Sequence, residues 1–215
     1  MAVTWERGLR ARSGPRAEGG QHGRAPRAAV FLDKDGTVIV DVPYNVDPGL
    51  MRLTDGAAAG LHALHAAGYP LVVVSNQAGV AHGYFEEAAL GPVEARLREL
   101  LGAAGVPLTG FYYCPHHPCG AVERYTVACQ CRKPAPGLVE RAAREHHIDL
   151  ARSWLIGDIL NDVEAGRTAG CRTVLLDNGH ETEWVLTPLR TPDYQAADLA
   201  EAAELIIAEA EEKRS

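Results

Sequence analysis

Two carboxylates stand two residues apart directly after an apolar segment. Residues 28–32 have the pattern of a buried strand, and Asp-Lys-Asp-Gly-Thr follows at 33–37. Because side chains alternate along an extended chain, we expect Asp33 and Asp35 to point to one side and Lys34 to the other. Such a pair can bind a hard divalent cation, or act as nucleophile and acid in attack on phosphorus. A solvated turn is the alternative, but the preceding strand and the following Gly-Thr favour phosphoryl chemistry.

Two other segments carry groups that can bind a phosphate. Ser75 follows the apolar run 71–74, where a hydroxyl and free backbone N–H groups can receive an anion. Lys133 lies in Arg-Lys-Pro at 132–134, and its ammonium can neutralise the repulsion between a nucleophilic carboxylate and an incoming phosphate. Taken alone, the serine is more typical of a turn and the lysine of a solvated surface. Their combination with the paired acids gives them weight.

A third acid follows another apolar run. Asp158 comes after the strand-like residues 154–156 and is placed to complete a metal site with the paired acids. Asp162 has two open interpretations. It is either a carboxylate that supports the site from behind, or an acid at the start of a helix that the helix dipole stabilises.

The elements that must position these groups alternate as in a doubly wound parallel α/β sheet. In such sheets ligands bind at the carboxyl ends of the strands, where the polar segments fall. Strands are predicted at 28–32, 71–74, 111–113, 154–156 and 173–176, and helices at 57–67, 86–104, 136–147, 162–169 and 195–212.

Cysteine and histidine cluster in the loop before Lys133. Cys114 and His116 precede a twelve-residue stretch, and Cys129 and Cys131 follow it. Four such ligands suit a closed, tetrahedral, structural zinc site. A disulfide and independent buried thiols are the alternatives, but five cysteines are odd in number and no secretion signal is recognisable.

One further histidine and the two remaining cysteines have lesser expected roles. His117 is the substitute ligand if His116 points away, Cys119 lies beside the site, and Cys171 packs in the core. Cys131 lies two residues before Lys133, so a zinc staple would fix Arg132 and Lys133 over a bound phosphate.

These motifs together resemble the haloacid dehalogenase-like phosphatase superfamily over residues 28–180. The resemblance implies a catalytic magnesium ion, and similarity to the superfamily's zinc-binding phosphatases implies a sheet without a large cap domain. By position, Asp33 matches the nucleophile that forms an aspartyl phosphate, and Asp35 matches the residue that acts as acid and then as base. Ser75 matches the phosphate-binding hydroxyl, and Lys133 matches the stabilising lysine. The magnesium ligands implied by the resemblance are Asp33, Asp158 and the backbone carbonyl of Asp35.

Within the superfamily, the Cys-Pro-His-His-Pro and Cys-x-Cys-Arg-Lys-Pro motifs resemble D-glycero-D-manno-heptose 1,7-bisphosphate phosphatases. This resemblance implies removal of the 7-phosphate, in nucleotide-activated heptose synthesis for bacterial surface polysaccharide. Asn76 and Arg132 would contact the substrate, and residues 38–55 would form part of its rim. Gln130 stands where an acid is common and His82 where an arginine is common. The His82 departure is the one expected to alter substrate contacts.

Three other functions stay open at this point. Histidinol-phosphate phosphatases share the zinc arrangement, and polynucleotide 3′-phosphatases share the acid motif. In a zinc-stapled interaction module, the third alternative, the acids would be vestigial. The chain has 215 residues and a net charge of −7, and residues 1–27 alone carry about +4. This arm is expected to be disordered or a mis-assigned start, with weak nucleic-acid contact as the lesser alternative. The remainder, at 28–215, is expected to be one acidic domain, which argues against a nucleic-acid partner.

No apolar run approaches the ~20 residues that span a bilayer. We therefore expect a soluble, cytoplasmic monomer that has no membrane partner and acts on a small phosphorylated sugar.

Overall fold

Residues 25–213 are described by a computed structural model. A six-stranded sheet forms its centre, and six α-helices pack around it. The strands are β1 (Val30–Leu32), β2 (Leu71–Asn76), β3 (Leu108–Cys114), β4 (Trp154–Gly157), β5 (Arg172–Leu176) and β6 (Tyr194–Ala196); the helices are α1 (Ala57–Ala66), α2 (Gly79–His82), α3 (Leu90–Ala103), α4 (Gly137–His146), α5 (Leu160–Ala169) and α6 (Leu199–Glu212).

All neighbouring strands run parallel, in the order β3-β2-β1-β4-β5-β6. β1 lies in the middle, where Phe31 pairs with Val72 on one side and with Leu155 on the other. The order reverses direction at β1, so the carboxyl ends of β1 and its neighbours border the crevice in which α/β sheets bind ligands. The predicted doubly wound parallel sheet is confirmed.

Both faces of the sheet are covered, which explains why its strands read as continuous apolar runs. Val30 and Leu32 face the cluster that includes apolar residues of α1, α3 and α6. Phe31 faces the opposite cluster, which includes apolar residues of α4. All three side chains are fully buried. This packing holds the end of β1 rigidly at the centre of the molecule.

Loops rather than an inserted domain surround the carboxyl edge of the sheet. Within residues 25–213, the longest connections without a strand or an α-helix are 33–56, 115–136 and 177–193. The expected absence of a large cap therefore agrees with the described part of the chain. None of its helices is both long enough and apolar enough to cross a membrane.

The predicted start of the C-terminal helix at Gln195 is wrong. Residues 194–196 instead form β6, which pairs with β5 and was missed because Gln-Ala-Ala favours a helix by composition. Asp198 is the N-cap, with its side chain accepting from the N–H groups of Ala200 (2.8 Å) and Glu201 (3.0 Å). This cap fixes the start of α6 at Leu199.

Smaller differences occur at two other helices and at the expected N-terminal arm. The predicted helix 86–104 begins with a 3₁₀ turn, Glu87–Ala89, and α5 begins two residues before Asp162. Residues 1–24 of the expected arm lie outside the described residues. Arg27, its last member, bridges to Ile148 through backbone hydrogen bonds.

Candidate active site

Three acidic side chains meet at the carboxyl edge of the sheet. Asp33 directly follows β1, Asp158 follows β4, and Asp162 lies in the first turn of α5; each offers an oxygen within 4.8 Å of the others. The Asp33 N–H donates to the Ile156 carbonyl (2.9 Å), which extends the strand pairing as far as this carboxylate. All three are buried, and Asp162 is wholly inaccessible. A buried cluster of acids needs cations to balance its charge.

One cation is supplied by Lys133, whose ammonium lies in the middle of this cluster. It forms an ion pair with Asp33, lies 2.6 Å from Asp162 Oδ1, and donates to the Val74 carbonyl (3.0 Å). Burial alone would lower the pKa of Lys133, but Asp162 and Asp33 raise that pKa above its ordinary value. Lys133 is therefore charged at neutral pH, next to the proposed nucleophile.

The single positive charge of Lys133 does not neutralise the three clustered carboxyl groups. Burial and, to a lesser extent, the neighbouring Asp33 carboxylate together raise the pKa of Asp158 to about 8. Burial also raises the pKa of Asp162 to about 6, against the opposing effect of Lys133. The site thus carries an excess of acids that a divalent cation would neutralise.

Asp158 is held in place by groups from two loops. Thr37 Oγ1 donates to Asp158 Oδ1 (3.3 Å), and His180 Nδ1 lies 2.6 Å from Asp158 Oδ2. Gly36 lies against the same carboxylate with a φ of +77°, and a Cβ at this position would fall 2.1 Å from Asp158 Oδ2. Only glycine fits between β1 and the Asp158 carboxylate.

The contacts of Asp162 agree with both of the roles that the sequence left open. Its Oδ2 accepts from the Ile159 N–H (3.3 Å) in the first turn of α5, as a helix-start acid would. Its Oδ1 contacts the Lys133 ammonium, so it also supports the site from behind.

Asp35 lies beside the cluster and has different neighbours. The Lys34 ammonium donates to Asp35 Oδ1 (2.7 Å), and Gln77 Nε2 donates to Asp35 Oδ2 (3.2 Å). The prediction that Lys34 turns away is wrong, because β1 ends at Leu32 and strict alternation ends with it. Burial raises the pKa of Asp35, while Lys34 lowers it. A raised pKa suits a carboxyl that must donate a proton.

Ser75 lies at the end of β2, fully buried. Its Oγ accepts from Gln77 Nε2 (2.8 Å), so Gln77 links Ser75 to Asp35. The hydroxyl proton of Ser75 remains available to another acceptor, since the bond to Gln77 uses only a lone pair.

The two predicted substrate residues line one cavity next to Asp35. Asn76 and Arg132 border a cavity of about 250 Å³ that Asp35 and Gln77 also line. Asn76 makes two hydrogen bonds to the backbone of Lys133, accepting from its N–H (3.0 Å) and donating to its carbonyl (3.1 Å). It therefore ties the end of β2 to the segment that carries Lys133.

The four predicted zinc ligands come together beside this segment. The Sγ atoms of Cys114, Cys129 and Cys131 are 3.1–3.5 Å apart. His116 Nδ1 lies 3.3 Å from Cys131 Sγ and 3.7 Å from Cys114 Sγ. Tetrahedral zinc with Zn–S bonds of about 2.3 Å places its sulfurs about 3.8 Å apart, so the four residues fit zinc.

The alternatives for the cysteines are excluded in this structure. All five are free, which contradicts the disulfide alternative, and three of them share one cluster rather than being independent. The hydrogen bond between Cys131 and Cys114 lowers the pKa of Cys131 to about 5 and raises the pKa of Cys114, so without a metal these two thiols hold one proton between them. Cys119 is exposed and outside the cluster, while Cys171 packs in the core. His117 accepts from the Cys119 N–H (3.1 Å) instead of joining the ligands.

The acidic cluster fits magnesium rather than zinc. Its donors are carboxylate oxygens, which hard cations prefer, whereas the thiolates of the other cluster prefer zinc. The two sites are therefore distinguished by their chemistry.

Sequence reasoning missed several residues that hold the site together. Thr37 stands in the quoted acid motif, and its position two residues after Asp35 gave a usable signal. Gln77 gave a weaker signal as the residue two after Ser75. Lys34 and His180 gave none, since the first was assigned to the wrong side and the second lies in an irregular loop far along the chain.

Comparisons with known proteins agree with this geometry. A family described as HAD-hydrolase-like matches residues 130–202. The D-glycero-β-D-manno-heptose-1,7-bisphosphate 7-phosphatase of Salmonella typhi is 39% identical over 170 residues, which are 75% of this chain and 90% of the relative. The protein of the same name from Photorhabdus laumondii is 40% identical over 172 residues, 80% of this chain and 88% of the relative.

A solved structure extends the similarity to three dimensions. The D,D-heptose 1,7-bisphosphate phosphatase of B. bronchiseptica, complexed with magnesium and phosphate, has a TM-score of 0.68 and 29% identity, covering 85% of this chain and 99% of that chain. The expected resemblance is thus confirmed, and with it the enzyme class of phosphoric monoester hydrolases. This chain belongs to the haloacid dehalogenase-like phosphatases, in the family of the D-glycero-D-manno-heptose 1,7-bisphosphate phosphatases.

Proposed function

We propose that this chain removes the 7-phosphate of D-glycero-β-D-manno-heptose 1,7-bisphosphate. The observation that carries the proposal is the arrangement of Asp33, Lys133 and Asp35 at the sheet edge, beside a cavity that Arg132 also lines. Relatives about 39% identical over most of the chain bear this name, β anomer included. The pathway that the resemblance implies is nucleotide-activated heptose synthesis.

The first half-reaction transfers the phosphoryl group to Asp33. An Asp33 carboxylate oxygen attacks phosphorus, a bond forms between them, and the bond from phosphorus to the sugar oxygen breaks. Asp35, whose pKa is raised by burial, gives its proton to the leaving sugar oxygen. The Lys133 ammonium stands against Asp33 and offsets the repulsion between carboxylate and phosphate.

The second half-reaction returns Asp33 to its starting state. Asp35, now ionised, takes a proton from a water molecule whose oxygen attacks phosphorus. The bond between phosphorus and Asp33 breaks, and inorganic phosphate leaves. The Ser75 hydroxyl, at the end of β2, is proposed to hold a phosphate oxygen in both steps.

Two metal ions are proposed, each with its own residues. Asp33, Asp158 and the backbone carbonyl of Asp35 would hold magnesium, which when bound neutralises the phosphate oxygens. Asp162 is proposed to contact Lys133 rather than the ion. Cys114, His116, Cys129 and Cys131 would hold zinc with no open position, so this ion would shape the loop and take no part in the chemistry.

The test compares kcat/KM of the purified chain, with magnesium, on heptose 1,7-bisphosphate, histidinol phosphate and a 3′-phosphorylated oligonucleotide. We expect heptose 1,7-bisphosphate to be preferred by at least tenfold. Preference for histidinol phosphate or the oligonucleotide would replace the assignment while keeping the chemistry. No turnover of any substrate would favour a zinc-stapled interaction module.

An Asp33→Asn enzyme, purified in parallel, excludes a contaminating phosphatase. Sedimentation of the same preparations measures the molecular mass in solution and so tests the prediction of a monomer. A cytoplasmic location is likewise a proposal.

A further inference from the structure

Two adjoining cavities lie at the amino edge of the sheet, opposite the candidate active site. The larger, of about 310 Å³, is lined by Trp154 and Arg172, the first residues of β4 and β5. The smaller, of about 230 Å³, is lined by Arg27, and the two share Arg152. Because a strand rises about 3.3 Å per residue, Trp154 lies roughly 13 Å from Asp158 at the other end of β4. We call this pair the amino-edge cavities.

The wall of the larger cavity holds a guanidinium in a fixed position. The guanidinium carbon of Arg172 lies 4.3 Å from the centroid of the Trp154 ring and 5.4 Å from that of Tyr194. Arg172 also forms an ion pair with Glu209, whose side chain is only 11% exposed and which pairs with Lys213 as well. Glu209 is the one acid in the lining of this cavity, and it faces two cations.

Two further arginines border the cavities without an acidic partner. Arg27 and Arg152 are exposed, and neither forms an ion pair with any other of residues 25–213. Packing on the aromatic rings accounts for Arg172, but packing does not require two unpaired arginines beside a cavity. The charged side chains of the two linings are four cations and one anion, in a chain whose net charge is −7: Arg27, Arg152, Arg172 and Lys213, against Glu209. The amino edge is therefore locally positive.

We propose that the amino-edge cavities bind the diphosphate group of a small molecule, either free diphosphate or a nucleoside diphosphate. Guanidinium groups bind phosphate oxygens through paired, charge-assisted hydrogen bonds, and several cations around one space suit an anion with more than one charge. Cavities of this size accommodate a small molecule. This site is separate from the one at Asp33 and Asp158, so the inference does not depend on the proposed function.

The test measures binding to the full-length chain by isothermal titration calorimetry, without added magnesium. The probes are pyrophosphate, ADP and adenosine. We expect pyrophosphate and ADP to bind at one site per chain with a Kd below about 1 mM, and adenosine, which has no phosphate, not to bind. Raising the KCl concentration from about 50 to about 200 mM should weaken the binding about threefold or more, because the attraction is electrostatic. Equal affinities would identify the diphosphate alone as the recognised group, and tighter binding of ADP would identify a nucleotide.

Arg152→Ala and Arg27→Ala should each raise the Kd for pyrophosphate about five- to tenfold. Both side chains are exposed and unpaired within the described chain, so thermal unfolding should show folded proteins. Arg144→Ala is the matched control. It removes an exposed arginine of α4 that lines neither cavity and has no ion pair in the part of the chain that the structure describes, and it should leave the Kd unchanged.

Three results would overturn the inference. The first is the absence of saturable binding of pyrophosphate and ADP below about 1 mM. The second is an unchanged Kd in both Arg152→Ala and Arg27→Ala. The third is a loss of binding in Arg132→Ala but in neither of these variants, which would place the anion in the cavity beside Asp35.

Discussion

At the scale of single residues, the site depends on how Lys133 is shared. Its ammonium contacts two carboxylates and the Val74 carbonyl, so no single acid holds it alone. Removing the charge of Asp33 would leave Lys133 with Asp162 and the carbonyl. Asp33, the proposed nucleophile, can therefore be changed without leaving a buried, unpaired lysine, which would be strongly destabilising.

Asp33→Asn should consequently abolish phosphate release while the fold persists. An amide is a poor nucleophile and a poor magnesium ligand, so we expect a loss of at least a hundredfold in kcat. Circular dichroism and thermal unfolding should show a folded protein. Activity above a few per cent of wild type would remove Asp33 from the role.

Asp35→Asn provides a contrast at the neighbouring acid. It should also reduce turnover, but some aspartyl phosphate should still form from a substrate with an activated leaving group. Rapid-quench detection of phosphorylated protein distinguishes the two variants. Equal phosphorylation of both variants would contradict the separate roles.

The raised pKa of Asp158 predicts a dependence of stability on pH. Between about 4 and 8 this carboxyl is protonated in the folded chain and ionised in the unfolded chain, so unfolding releases a proton. Without magnesium, the free energy of unfolding should therefore fall as pH rises, by up to about 1.4 kcal/mol per pH unit from this group. The contribution is fully present at low pH and is lost as pH rises through about 8.

Urea unfolding of wild type and Asp158→Asn at pH 5 and pH 7.5, without added magnesium, measures this contribution. The wild type should lose stability relative to the variant as pH rises, and added magnesium should reverse the trend, since it favours the ionised carboxylate. Chelators are avoided because they would also remove zinc. Parallel pH curves for the two proteins would show that Asp158 titrates normally.

At the scale of elements, the loop 115–136 connects β3 to α4 and also forms hydrogen bonds with α2. Its Ala121 and Val122 N–H groups donate to the Ala81 carbonyl of α2 (2.7 and 2.9 Å), and the Gly137 N–H donates to the Gln130 carbonyl (2.8 Å). Few apolar side chains of this loop are buried, so its shape depends on these bonds and on the four clustered ligands. Because Lys133 stands only two residues after Cys131 in this loop, the metal cluster is expected to position the lysine.

Cys129→Ala should therefore lower both zinc content and kcat. Structural zinc contributes on the order of 10 kcal/mol of local folding free energy, so its loss should free the loop and displace Lys133. Elemental analysis should give about one zinc per wild-type chain and little for the variant. Cys119→Ala, an exposed cysteine of the same loop outside the cluster, is the matched control and should keep its zinc. Wild-type protein purified without chelator but lacking zinc would contradict the proposed metal.

The elements also show what the sequence could and could not predict. The central strands were predictable because both of their faces are buried, which leaves continuous apolar runs such as Leu71–Val74. β6 was not, since it is short, lies at an edge, and takes its strand form from pairing with β5 rather than from its own residues. The short helix α2 was not predicted, because its four residues are too few to show a helical period.

The same distinction applies to the site. Asp33, Ser75 and Asp158 were predictable because each stands at the carboxyl end of a strand, and parallel strands bring these ends together. The contacts of His180 with Asp158 and of Lys34 with Asp35 depend on loop paths, for which residue spacing carries no information. Sequence therefore predicted which side chains meet at the sheet edge better than it predicted the groups that orient them.

At the scale of the whole molecule, the described chain places its chemistry and its specificity in different parts. The proposed catalytic acids stand at the ends of strands that are packed on both faces, whereas the cavity beside them is bordered by residues of the segment 38–55 and by the loop that carries Arg132. With no large cap among residues 25–213, these loops must provide the selection of substrate. Changes in the rim should therefore alter substrate preference more than they alter the chemical step.

Arg132→Ala tests this separation. The side chain lines the cavity next to Asp35 and is suited to a bidentate contact with the second phosphate of a bisphosphate. Losing a charge-assisted contact typically costs ~1.5–3 kcal/mol, or roughly ten- to more than a hundredfold in kcat/KM. The loss should be large for heptose 1,7-bisphosphate and much smaller for heptose 7-phosphate, which lacks the second phosphate.

Arg124→Ala removes the same charge from an exposed position of the same loop, outside the lining of the cavity, and should affect neither substrate. Equal losses on both substrates in Arg132→Ala would show that the arginine serves the reacting phosphate or the loop, and that specificity for the bisphosphate lies elsewhere in the rim.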